Sequence, residues 1–141
     1  MAAINQGRVW LGAIVGGIVW TLWSMAVNTK VLGPHYDQAQ AAGQMLQNPR
    51  YPYFILLWAL TLIVLSAVIA RLYAHLRVSM GPGPKTALKL GLMVGFAAGF
   101  PLSLSAASWA PLPRIILAWW CLDLWAGACI SAVISGWLYK D

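Results

Sequence analysis

Four apolar runs of about twenty residues each constrain this chain more than any other feature. Val9–Val27, Tyr53–Ala70 and Leu90–Trp109 contain no charged side chain, and Ile115–Leu138 contains a single acid, Asp123. Runs of that length match the hydrocarbon thickness of a bilayer when helical. In hydrocarbon a backbone must satisfy its own hydrogen bonds, so each run is expected to be a helix. Together they fill more than half of the chain and leave no room for a soluble domain. The expected fold is an all-α integral membrane protein: a four-transmembrane-helix bundle with a short amphipathic surface helix in the first loop. One membrane domain covers residues 1–141, with spans at about 9–28, 52–76, 86–109 and 114–139 and the surface helix at about 36–47.

Composition agrees. Hydrophobic residues make up 61% of the chain and charged residues 9%, where a soluble domain carries about 25% charged residues. That excludes a water-soluble monomer, and the apolar excess excludes disorder. Nine Trp suit a chain that lives at and below a membrane interface. The first run has a basic flank at Arg8 and a small-residue stretch at Ser24–Ala26, as a signal peptide would. It is longer than a signal peptide's apolar core of roughly 7–15 residues, so an uncleaved helix is expected.

Lys and Arg set the orientation. Arg8, Arg71, Arg77, Lys85, Lys89 and Lys140 fall on one side, and Lys30, Arg50 and Arg114 on the other. The bias places both termini in the cytoplasm. Arg71, Arg77, Lys85 and Arg114 are candidate contacts for lipid headgroups. The net charge of +6 is scattered over loops without a basic run, so no nucleic-acid partner is expected.

Loop chemistry punctuates the spans. Gly33-Pro34 marks a turn before the surface helix, and Asn48-Pro49 ends it. The Gly81-Pro82-Gly83-Pro84 stretch forces the chain to turn between the second and third spans, with Thr86 placed to cap the third helix. Pro101 lies inside the third span and is expected to kink it.

Small residues should decide how the spans pack, because lipid gives helices no hydrophobic drive to associate. Gly91, Gly95 and Gly99 recur every four residues, Gly12 and Gly16 share a face of the first helix, and Gly127 and Ser131 share one on the fourth. These faces serve packing within the chain or between chains. Mid-span Trp20, Trp58 and Trp125 are placed to pack on lipid tails, another subunit or pigments.

Asp123 is the most informative residue. It lies about 13 Å along the helix from Arg114, inside the hydrocarbon, where an Asp costs about 2.5–3.5 kcal/mol to insert. No Lys or Arg falls at its depth. Its candidate partners are Thr21, Ser24 and Asn28 on the first helix and the indoles of Trp20, Trp58 and Trp119. Three readings stay open: a structural hydrogen-bond node, a proton- or cation-coupled site, and a contact for a lipid, quinone or pigment.

Catalytic chemistry has little to work with. Cys121 and Cys129 are eight residues apart on one helix, beyond disulfide reach, and His35 and His75 fall in loops on opposite sides. No catalytic residue, metal site or cofactor is expected. The sequence points to a non-enzymatic accessory or structural subunit that packs against other membrane proteins, lipids or pigments. The alternative is a small proton- or cation-coupled transporter or channel using Asp123.

The segment Arg71-Leu72-Tyr73-Ala74, Arg77, Gly81-Pro82-Gly83-Pro84-Lys85-Thr86-Ala87 and Gly91-Leu92 resembles an uncharacterised family of small bacterial membrane proteins. So does the ending Gly136-Trp137-Leu138-Tyr139-Lys140 with its terminal acid Asp141, and so does an acid placed as Asp123 is. The resemblance implies four helices in a bacterial inner membrane. It implies no activity and no functional residue.

Overall fold

A computed structural model of the chain describes residues 4–139. Lys140, one of the basic residues used for orientation, and Asp141, the terminal acid of the resemblance, lie outside them. The described residues are helical wherever they are regular. In order they form α1 (Gln6–Ala26), a π-helical turn (Val27–Val31), α2 (Gly33–Ala41), α3 (Phe54–Met80), α4 (Pro84–Trp109) and α5 (Arg114–Leu138). α1 with its π-turn, α3, α4 and α5 are each long and apolar enough to cross a membrane.

α5 is the centre of the bundle. It packs on α4, α1 and α3, while α1 also packs on α3, and α4 rests chiefly on α5. The seams are set by residues without bulk. A β-carbon on Gly91 would lie 2.6 Å from the Cys129 backbone, and one on Gly95 would lie 2.8 Å from that of Trp125. Gly99 faces the Cys121 backbone in the same way, so the four-residue ridge of α4 lies directly on α5. On the other side of α5, Gly12 meets Ser135, and Gly16 meets the hydroxyls of Ser131 and Ser66, which hydrogen-bond to each other at 2.7 Å. Each of these faces is used inside the chain.

The end that carries Asn5 and Tyr139 is clasped by two tyrosines. Tyr139 accepts a hydrogen bond from the Asn5 N–H at 3.0 Å, and Tyr73 accepts one from the Gly83 N–H at 3.0 Å. The turn between α3 and α4 uses Gly81 and Gly83 at φ 81° and 131°, and Pro84 starts α4. Thr86 departs from the expected cap. Gly83 holds the N-cap position, and the Thr86 hydroxyl instead donates to the Gly81 carbonyl at 2.8 Å, tying α4 back to the end of α3. α4 runs on through Pro101, which is exposed on its surface.

The opposite end carries the π-turn and α2. The Leu32 N–H reaches back five residues to the Val27 carbonyl at 3.0 Å, which widens the last turn of α1. α2 begins earlier than the sequence pattern suggests, because Pro34 suits a helix's first turn. It also stops earlier. Gly43 takes φ 70°, its N–H bonds to Gln40, and the Gln44 N–H bonds to Ala39, a Schellman-type close. Leu32 and Ala39 are buried with Val27 and Ile116, so α2 is fastened to the mouth of the bundle.

Candidate functional site: a buried carboxyl between α1 and α5

Asp123 is 2% exposed and faces α1. The Ser24 hydroxyl donates to Asp123 Oδ2 at 2.7 Å, and Asn28 Nδ2 donates to the same oxygen at 3.2 Å. Four-residue spacing places Asn28, in the π-turn, one turn beyond Ser24 at the end of α1 and on the same side, which is why both reach one atom. Asn28 Nδ2 also donates to the Ser24 carbonyl at 2.8 Å. Both of these neutral partners are on the expected face of the first helix.

Other expected partners are placed differently. The Thr21 hydroxyl donates to the Gly17 carbonyl of its own helix at 2.8 Å. Trp58 acts at one remove, donating to Ser24 Oγ at 3.1 Å. Trp20 is 0% exposed, so it contacts neither lipid tails nor a partner. Its indole lies against Gly127, one helical turn from Asp123 along α5. Trp125 is tied inward by donating to the Leu92 carbonyl at 3.0 Å.

Three members of the site escape the sequence pattern. The Trp23 indole donates to the Asp123 backbone carbonyl at 3.3 Å. Tyr36, from α2, donates through its hydroxyl to Asn28 Oδ1. Trp120, one helical turn from Asp123 toward the α2 end, donates to the Tyr36 oxygen at 2.6 Å. Burial pushes the Tyr36 phenol above its ordinary value of 10.0; the Trp120 hydrogen bond lowers it, and the nearby Asp123 raises it further.

Two buried polar atoms in this cluster have no hydrogen-bond partner: Asp123 Oδ1 and Trp20 Nε1. Beside the cluster, Trp23, Trp119, Leu122, Trp125 and Leu92 line an open groove of about 370 Å³ on the flank of α5. Trp23 and Trp125 turn their N–H groups away to backbone carbonyls, and the groove presents only apolar surface.

The candidate headgroup contacts divide. Lys85 and Arg114 are exposed, and Arg71 is exposed while donating to Gln6 Oε1 at 3.2 Å. Arg77 is half-buried, with its guanidinium 4.7 Å above the Tyr139 ring. Its charge is thereby drawn onto the clasp of the bundle.

Among the described residues, fold and site together define a small helical protein with four candidate membrane spans around one buried, hydrogen-bonded carboxyl. Comparison with known proteins finds no matching family model, no matching curated protein and no matching solved structure.

Proposed function

We propose that this chain is a non-enzymatic accessory or structural subunit of a larger assembly in a bacterial inner membrane. The observation that carries this reading is the inward closure of its polar groups. Trp58, Tyr36 and Trp120 bond to Ser24, Asn28 and one another, and Ser24 and Asn28 to Asp123, while the groove on α5 presents only apolar surface. α4 is held by its glycine ridge and leaves Met93, Phe96 and Leu102 exposed on its other faces. Such faces suit lipid and the apolar spans of neighbouring subunits. Placement in the inner membrane, with both termini cytoplasmic, rests on the basic-residue bias and on the resemblance of the 71–92 segment to small bacterial membrane proteins.

The test is stoichiometric purification after mild solubilisation. The reading expects a defined complex much larger than the chain, weakened when Met93→Ala and Leu102→Ala shrink the α4 face. A protein that runs alone or as a small homo-oligomer removes it.

One observation favours a second reading, a small proton- or cation-coupled transporter: Asp123 Oδ1 is buried without a partner. Flux into vesicles that is lost in Asp123→Asn, with folding retained, supports it. Equal flux in both proteins excludes it.

A further inference from the structure

The hydrogens around Asp123 run in one direction. An indole N–H donates and cannot accept. Trp58 donates to Ser24 Oγ, so Ser24 sends its own hydrogen to Asp123 Oδ2. Trp120 donates to the Tyr36 oxygen, Tyr36 donates to Asn28 Oδ1, and Asn28 presents its Nδ2 to Asp123 Oδ2. Two relays, each started by a tryptophan, therefore converge on one carboxylate oxygen. Converging donors favour the ionised form, and the apolar surroundings favour the neutral one. The two influences oppose each other at a single group.

The other oxygen is left over. Oδ1 accepts nothing, and Trp20 Nε1, on the facing helix and one turn along, donates to nothing. α1 brings Trp23 and Ser24 to Asp123 and Trp20 to Gly127 one turn along, the π-turn brings Asn28, α3 brings Trp58 by way of Ser24, and α5 itself carries Trp120. α2 brings Tyr36, the other titratable member of the cluster, and none of these side chains is cationic.

We propose that Asp123 is a reversible proton-binding site, with the proton on Oδ1 and with Oδ2 held by the two donor relays. Metal cations of the hard kind gather several oxygen ligands. Here the side chains bonded to the carboxyl, Ser24 and Asn28, both act on Oδ2 as donors, and no second oxygen ligand is gathered at Oδ1. Oδ1 has its lone pairs unused and can take one proton. Hydronium gives its proton to Oδ1, an O–H bond forms, and water leaves; release is the reverse.

The inference deepens the transporter reading by naming the ion and the atom, and it stands without transport. The test is pH-difference infrared spectroscopy in lipid nanodiscs, in a chain with Asp37→Asn and Asp141→Asn so that Asp123 is the only side-chain carboxyl. A carboxylic-acid carbonyl band should grow as pH falls and be absent in Asp123→Asn. In Trp58→Phe, which removes a donor that favours the ionised form, its midpoint should move to higher pH by about one unit, a tenfold gain in proton affinity. That variant keeps the test open if Asp123→Asn does not fold. A band constant at every pH where the protein is folded overturns the proposal. So does the absence of a band, or a midpoint that Trp58→Phe leaves in place. A titrating band without proton flux in vesicles keeps the proton site and removes the transporter reading.

Discussion

Trp20 and Gly127 fit as a projection and its recess. A β-carbon on Gly127 would lie 1.9 Å from Trp20 Nε1 and 2.1 Å from Trp20 Cδ1. The indole is fully buried there and cannot swing into lipid without opening the seam between α1 and α5. α5 carries Asp123 one turn away, so this fit also sets the distance at which α1 presents Ser24 and Asn28.

Gly127→Ala should therefore be costly. Overpacking a filled core costs about 1–3 kcal/mol, and a rigid ring leaves little room to relax. Unfolding of the purified protein in increasing SDS measures the loss. Trp20→Leu should soften it, so the double variant should be more stable than the two single losses predict. Strict additivity would show that the contact is not what Gly127 serves.

Gly95→Ala should destabilise by a comparable amount, about 1–3 kcal/mol, because its β-carbon would lie 2.8 Å from the Trp125 backbone. The expected structural result is a loosened α4, seen as faster hydrogen exchange over Pro84–Trp109 than over α3. Gly7→Ala is the matched control. It lies in the first turn of α1 with its nearest neighbour at 3.5 Å, and helix propensity should make it neutral or slightly stabilising.

Much of this was legible in the sequence, for physical reasons. Gly91, Gly95 and Gly99 share a face because four-residue steps nearly close a helical turn, although spacing alone does not say which helix receives them. Asp123 was found because hydrocarbon makes an acid rare, and Ser24 and Asn28 followed as neutral donors at matching depth. Tyr36 and Trp120 did not follow. Their meeting depends on the π-turn that returns α2 over the bundle mouth, and a one-residue slip of helical register leaves no periodic mark. Trp23 is silent for another reason: its partner is a backbone carbonyl, which every residue has.

Alkaline pH should undo the α2 end first. The Tyr36 phenol is raised above 10.0, chiefly by burial. In the unfolded chain it ionises near the ordinary value, while in the folded chain it stays neutral to higher pH. The docked state thus keeps its full stability below pH 10.0 and loses it as pH rises toward and through the folded-state value. Ultraviolet titration should show a late tyrosinate component that is absent in Tyr36→Phe. A component lost in Tyr36→Phe that titrates at the ordinary phenol value of 10.0 would contradict the docked position.

Ser24→Ala should weaken the α1–α5 seam more than its size suggests. The hydroxyl gives Asp123 Oδ2 its shortest hydrogen bond and takes one from Trp58. Its removal strands the half-buried Trp58 indole N–H and leaves Oδ2 with Asn28 alone. A hydrogen bond to a charged partner is worth about 1.5–3 kcal/mol, and one to a neutral partner about 0.5–1.5 kcal/mol. The cycle of Ser24→Ala, Asp123→Asn and the double variant separates these cases. Unfolding in SDS at several pH values should show the coupling at its largest where the infrared band reports an ionised carboxyl. It should fall to the neutral range where the band reports a protonated one. A coupling that ignores pH would mean that Ser24 meets Asp123 in one protonation state throughout.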